Sequence, residues 1–220
     1  MYRVLPVLSP EEVAECRRIA ASTPFVDGRI SNPHNTAKQN EQLHDHAAYQ
    51  QSAAIVQRAL LSLAEFHEFC FPAQMAPPLL TRYKPGMHYG LHADAAYLDL
   101  PGGTVRSDIS CTVFLNDPED YEGGALHVRH GDADLRFRLK PGEAVLYPST
   151  SLHEVEPVTR GERLVAITFI QSRVPDATLR SLLFELNEVA ALEGLNMDRA
   201  NFARLQVVQA NLLRMWGEQP

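Results

Sequence analysis

The sequence is poor in the features that define several large classes of protein. It holds only three cysteines, Cys16, Cys70 and Cys111. An odd number with no Cys-x-x-Cys pairing excludes a disulfide framework and a structural zinc site, and the three read as reduced core residues. Positive charge is scarce. The 20 Lys and Arg against 27 Asp and Glu give a net charge of -7, without the basic footprint needed to bind nucleic acid or an anionic membrane surface. No apolar run approaches the roughly 18 residues that span a bilayer, and the segment Met1 to Pro10 lacks the apolar core and small-residue cleavage site of a signal peptide. Internal repeats and low-complexity tracts are missing as well. The expectation is a cytoplasmic globular protein of ordinary composition, 45% hydrophobic and 21% charged, acting on a small molecule or a protein side chain.

The chain opens on a helix signal. Ser9 can cap, Pro10 suits the first helical position and Glu12 completes a capping box ahead of the apolar stripe Val13, Cys16, Ile19 and Ala20. From Phe25 to Asp45 the residues are mostly polar and turn-forming, which predicts a long irregular segment. Its amides Asn40 and Gln42 either line a pocket or, as loop polarity favours, face water. Helical spacing returns from His46 to Phe69. After Pro78 the pattern shortens to eight β-rich runs: Leu79–Tyr83, His88–His92, Ile109–Asn116, Ala125–Arg129, Leu135–Leu139, Ala144–Tyr147, His153–Val158 and Leu164–Gln171. Turn pairs such as Pro85-Gly86 and Gly123-Gly124 separate them, which predicts an antiparallel sandwich or jelly roll. Two helices, Asp176 to Gly194 and Asp198 to Gly217, close the chain. The fold class is therefore mainly β with helical flanks: a helical support over 1–77, a jelly-roll core over 78–174 and a helical region over 175–220.

The stretch Arg82-Tyr-Lys-Pro-Gly-Met-His-Tyr-Gly-Leu-His-Ala-Asp94 carries the chemistry. On a strand, residues two apart share a face, so His92 and Asp94 can direct an imidazole and a carboxylate at one point. His153 on a later strand supplies a third ligand. Two histidines and one carboxylate, leaving other positions open, suit a non-haem Fe(II) oxygenase. His-x-Asp alone is a common chance pattern. It gains weight from His153, from Arg163 beyond it and from Tyr83 on the same predicted hairpin. His44, His46, His88, His127 and His130 lack such company.

Arg163 opens the apolar run Leu-Val-Ala-Ile-Thr-Phe-Ile. A turn at Pro157 to Gly161 can set its strand antiparallel to that of His153, bringing the guanidinium into the barrel near the metal. A buried arginine needs an anion, and its planar fork matches a carboxylate. A dicarboxylic co-substrate such as 2-oxoglutarate, held by the metal at one end and Arg163 at the other, satisfies both. The bland alternative is a surface arginine paired with Glu162 or Glu154. Leu126, Val128, Val155, Val165 and Phe169 either wall the pocket or are plain barrel core.

These motifs, together with Arg106-Ser-Asp-Ile-Ser-Cys-Thr-Val-Phe-Leu-Asn116, Tyr121-Glu-Gly-Gly-Ala-Leu126, the run from Tyr147 to Arg163 and the closing Asn211-Leu-Leu-Arg-Met-Trp216, resemble the bacterial PKHD-type hydroxylases, among the Fe(II)- and 2-oxoglutarate-dependent dioxygenases. The resemblance covers nearly the whole chain. It implies a double-stranded β-helix, iron held by His92, Asp94 and His153, Arg163 on the distal carboxylate of 2-oxoglutarate, and O2 as the oxidant. Related prolyl hydroxylases place a carboxylate-binding tyrosine where Phe114 stands here. Phe114 cannot donate, so Tyr83 or Thr112 must assist Arg163, or Arg163 acts alone. The segment Ala95 to Gly103 also departs from the family, which leaves the substrate open and puts Tyr97 among the candidate substrate contacts with Asn40, Gln42, Leu126, Val155 and Phe169.

Two other readings use the same residues: a cupin-like metalloenzyme without 2-oxoglutarate, and a non-catalytic jelly-roll binding protein. The last helix, with Phe202, Leu205, Val208, Leu212 and Trp216, carries more apolar surface than one packed side requires, which predicts a homodimer through the C-terminal helices.

Overall fold

The computed structural model describes residues 1–31 and 35–218, and of His130 only the backbone. The chain starts with β1 (Arg3–Pro6) and α1 (Pro10–Ser22). The start of α1 is set by a complete capping box, in which Ser9 Oγ accepts from the Glu12 amide and the Glu12 carboxylate accepts from the Ser9 amide. Within the segment expected to be irregular, the described residues form three short strands, β2 (Phe25–Asp27), β3 (Lys38–Gln39) and β4 (Glu41–Leu43), with a 3-10 turn at Gly28–Ser31. Strands this short show no alternation. They exist because partners distant in sequence, β6 for β4 and β7 for β3, complete their hydrogen bonds. The helix expected over His46 to Phe69 is two, α2 (His46–Ser62) and α3 (Ala64–Cys70). They part at Leu63, whose backbone is extended at φ -88° and ψ 123°; a one-residue break leaves the apolar spacing intact, so periodicity does not register it.

The core strands follow as β5 (Pro72–Met75), β6 (Leu79–Tyr83), β7 (His88–His92), β8 (Tyr97–Leu100), β9 (Gly103–Arg106), β10 (Ile109–Phe114), β11 (Glu122–Gly123), β12 (Leu126–His130), β13 (Ala133–Phe137), β14 (Glu143–Pro148), β15 (His153–Val155), β16 (Val158–Arg160) and β17 (Arg163–Ser172), before α4 (Ala177–Glu193) and α5 (Arg199–Trp216). An eight-stranded sheet runs β1-β14-β10-β17-β6-β4-β2, with β5 also on β17, and a five-stranded sheet runs β13-β12-β15-β7-β3. The two antiparallel sheets form the jelly roll.

The run expected as one strand from His153 to Val158 divides into β15, in the small sheet, and β16, which pairs β11. The strands of His153 and Arg163 consequently do not pair with each other as expected. The chain crosses between sheets, β15 pairs β7, and β17 pairs β6 with Arg163 opposite Tyr83. Arg163 thus reaches the barrel interior from the facing sheet.

Two apolar clusters hold the layers. One joins the outer face of the large sheet, through Leu80, Cys111, Val113, Leu146 and Leu164, to Val13 and Ile19 of α1, Val56 and Leu60 of α2, Phe66 and Phe69 of α3 and Phe184 of α4. The other lies between the sheets and includes Phe114, Leu126, Val128, Val145, Tyr147, Val155 and Val165. The period of two along β17 assigns Leu164, Ala166 and Ile170 to the first and Val165 and Ile167 to the second. Burial of side chains this size contributes roughly 1.5–3 kcal/mol each, so the scaffold is held by residues other than the polar groups inside it. No helix among the described residues is long and apolar enough to cross a membrane.

Candidate metal centre

His92 ends β7 and Asp94 follows just beyond it, while His153 opens β15 directly opposite His92. One donor atom from each of the three lies within 4.8 Å of the others. Asp94 Oδ1 is 3.6 Å from His153 Nε2 and 4.0 Å from His92 Nε2.

Backbone carbonyls decide which ring nitrogens face that point. His92 Nδ1 lies 2.8 Å from Gly90 O, and His153 Nδ1 lies 3.0 Å from Ser151 O. A carbonyl only accepts, so each Nδ1 carries the proton and each Nε2 of the neutral ring presents its lone pair. Burial, together with the neighbouring His153, pushes the His92 pKa below its ordinary value, favouring the neutral form a metal requires. Tyr89 stacks on His92 with ring centroids 3.6 Å apart, and Tyr147 meets His153 edge-on at 5.3 Å. Ser110 Oγ donates to Asp94 Oδ2 at 2.5 Å and lies 2.7 Å from Ser149 Oγ.

The triad opens on a cavity of about 60 Å³ between the sheets, lined also by Tyr83, Thr112 and Arg163. Arg163 is 1% exposed, its Nε has no hydrogen-bond partner, and it forms none of the ion pairs among the described residues. The rings of Tyr83 and Phe114 lie 5.1 and 5.3 Å from its guanidinium carbon. Desolvation lowers its pKa from the usual arginine value. The surface alternative does not describe it: Glu162 lies 4.0 Å from Arg82, and Glu154 is with His127 at 3.0 Å. A guanidinium taken out of water with no counter-charge is costly, so this cavity is built for an anion. Two imidazoles and one carboxylate facing a common point, with other positions left to ligands, fit Fe(II).

Of the other expected site residues, Thr112, Leu126, Val155 and Phe169 line the cavity. Asn40 does not line it but sits buried behind Tyr83, donating from Nδ2 to the phenolic oxygen at 2.9 Å; the reading of Asn40 and Gln42 as exposed loop amides is corrected, since strand pairing buries both. Gln42 also falls outside the cavity, because its Oε1 accepts from Ser31 Oγ at 2.9 Å. Tyr97 is 62% exposed, carried on a β8–β9 hairpin that joins neither large sheet, and it too is absent from the lining. Sequence reasoning missed Tyr89, Ser110 and Tyr147. Ser110 had a usable signal, since it shares a strand face with Thr112. A larger groove of about 830 Å³ lies between α2, β5 and the β8–β9 hairpin and touches none of the triad.

Residues 78–171 match the family described as the 2OG-Fe(II) oxygenase superfamily. A PKHD-type hydroxylase of Sphingopyxis alaskensis is 62% identical over 216 residues, covering 98% of this chain and 99% of that protein. Among solved structures, a Pseudomonas putida prolyl-4-hydroxylase aligns with a TM-score of 0.55 at 22% identity, over 78% of this chain and 92% of that one. A Trichoplax adhaerens prolyl hydroxylase in complex with a hypoxia inducible factor peptide fragment aligns with a TM-score of 0.60 at 15% identity, over 82% and 86%. At these identities the structural likeness is one of fold.

Proposed function

The chain belongs to the PKHD-type hydroxylases of the 2OG-Fe(II) oxygenase superfamily, and from that premise we propose that His92, Asp94 and His153 hold its Fe(II) while Arg163 holds the far carboxylate of 2-oxoglutarate. The observation that carries this reading is the buried Arg163, which has no carboxylate counter-charge among the described residues, in the cavity onto which the triad opens. When bound, the iron supplies the redox chemistry by which O2 converts 2-oxoglutarate to succinate and CO2 and places one oxygen atom in an unactivated C–H bond of the substrate.

The protein's own part is orientation and exclusion of water. The Nδ1 bonds to Gly90 and Ser151 aim both imidazoles, Ser110 holds one Asp94 oxygen so that the other faces them, and Arg163 sets the direction of the co-substrate. Leu126, Val155 and Phe169 keep the cavity apolar around these groups, which strengthens each charge interaction inside it. The substrate is a small molecule such as an amino acid or related metabolite, or a protein side chain. A cytoplasmic setting suits the three buried thiols, Cys16, Cys70 and Cys111, none of them disulfide-bonded. Of the α5 stripe expected to seek a partner, Phe202, Leu205, Leu212 and Trp216 are half-buried and only Val208 is exposed; the apolar surface left open on this helix includes Val207, Val208 and Met215, at 58%, 48% and 75% exposure. Pairing of this helix with a second copy would cover them, and light scattering at micromolar concentration tests it.

The decisive experiment for the reaction is spectroscopic. Anaerobic addition of Fe(II) and 2-oxoglutarate should give the weak visible metal-to-ligand charge-transfer band, and admission of O2 should then release succinate. Absence of the band in protein that binds the metal would overturn the assignment.

A further inference from the structure

Asn40 lies in the polar segment before the jelly roll, outside the cavity lining, yet it is 4% exposed and its position is tightly built. Its carbonyl accepts from the Gly28 amide at 2.8 Å. Its side chain lies so close to Gly28 that a Cβ there would sit 1.8 Å from Asn40 Oδ1. Nδ2 then donates to Tyr83 Oη at 2.9 Å, while Oδ1 is buried with no partner. An orphaned buried acceptor is unfavourable and calls for a reason. The reason here is what the other end of the amide does to Tyr83.

A phenol has one proton to give and lone pairs to receive with. Tyr83 Oη receives from Asn40, and among the described residues no acceptor takes the phenolic proton. Burial keeps that phenol protonated, pushing its pKa up. Tyr83 lines the cavity, with the Arg163 guanidinium carbon 5.1 Å from its ring centre. We infer that Asn40 is a positioning residue for the co-substrate: by donating to Tyr83 it directs the phenolic proton into the cavity, toward the far carboxylate of 2-oxoglutarate beside Arg163. This supplies the second donor that Phe114 cannot. The inference rests on the placement of that carboxylate at Arg163.

The test compares the unmodified protein with Asn40→Ala, Tyr83→Phe and the double variant, each loaded anaerobically with Fe(II), and reads affinity from the charge-transfer band. The probes are 2-oxoglutarate and 2-oxovalerate, a 2-oxo acid without the far carboxylate. Removal of a bond to a charged group predicts about tenfold or greater loss of 2-oxoglutarate affinity in Asn40→Ala. The double variant should be no weaker than Tyr83→Phe alone, 2-oxovalerate should bind all four proteins alike, and Fe(II) affinity should not move. Unchanged or tighter 2-oxoglutarate binding in Asn40→Ala would overturn the inference, because it would mean that Tyr83 donates to Asn40. Equal losses for both probes, or additive losses in the double variant, would also overturn it, by assigning Asn40 a general structural role. Arg163→Met in the same assay separates the two levels. If it too leaves 2-oxoglutarate affinity intact, the placement of the co-substrate fails; if it weakens binding and Asn40→Ala does not, only this inference fails.

Discussion

Ser110 donates a 2.5 Å hydrogen bond to one oxygen of Asp94, and the other oxygen is the one nearest both imidazoles. The bond crosses between elements: Ser110 belongs to β10 of the large sheet, whereas Asp94 follows β7 of the small one. It therefore ties the carboxylate's rotation to the packing of the two sheets. Partners of this kind typically change metal affinity tenfold to a hundredfold when removed. Ser110→Ala should weaken Fe(II) binding by about that factor with the fold retained, as read by metal titration alongside circular dichroism. Unaltered affinity would show that Asp94 needs no such support.

The triad itself makes a sharper prediction. His92→Ala and His153→Ala should each abolish metal binding and succinate formation while the melting temperature of the metal-free protein changes little, since both apolar clusters are made by other residues. A ligand that binds only the folded state stabilises it, so added Fe(II) should raise the melting temperature of the unmodified protein and not that of either variant. Succinate production surviving in one of them would remove that histidine from the site.

With the far carboxylate of 2-oxoglutarate at Arg163, as proposed, truncation to methionine would leave that anion desolvated and unpaired. That costs about 2–5 kcal/mol, or roughly 30-fold to several-thousand-fold in affinity. Iron affinity should be nearly unchanged, and Arg163→Lys should fall between, restoring charge but losing the planar fork. The check is the apparent affinity of all three proteins for 2-oxoglutarate and for Fe(II). A parallel loss of both would mean that the substitution damages the fold.

Gly124 connects the Gly-Gly pair to the same guanidinium. Its φ of +62° disfavours a side chain, and an added Cβ would lie 2.8 Å from Val158 Cγ2 and 3.2 Å from Arg163 Cδ. Left-handed backbone alone costs about 1–2 kcal/mol for a non-glycine residue. Gly124→Ala should lower thermal stability and weaken 2-oxoglutarate binding through displacement of Arg163, with metal affinity preserved. Calorimetric unfolding and the anaerobic charge-transfer titration measure the two effects; full 2-oxoglutarate affinity would show that Val158 yields instead.

The retention of a carboxylate at position 94 bears on product. With Asp94 beside the two histidines, no position is vacated for a halide, so the expected product is hydroxylated. Mass spectrometry of turnover in chloride buffer checks this, and a chlorinated product without hydroxylation would contradict it.

Local pattern carried much of this protein. His92 and Asp94 meet because they are two residues apart in the chain, although β7 ends at His92 and Asp94 lies just beyond it rather than on the same strand face, and the capping box at Ser9 is a contact between residues three apart; such relations are written in neighbouring positions. The period-two runs after Pro78 likewise announced the jelly roll, because a half-buried strand must alternate. What neighbouring positions cannot encode is who sits across a sheet. The strands β2, β3 and β4 are too short to have a pattern and form only because β7 pairs with β3, β6 with β4, and β4 in turn with β2. That pairing buries Asn40 behind Tyr83 and turns Gln42 toward Ser31, although both amides read alike in the chain. Tyr97 looked like a site residue from its nearness to Asp94 in sequence, but the β8–β9 hairpin holds it out in solvent. Ser110 and Asp94 meet only because two sheets stack face to face, and Arg163 enters the cavity from the sheet opposite His153. A sequence records the period of each strand; the choice of its neighbours is settled by the simultaneous burial of all the apolar faces.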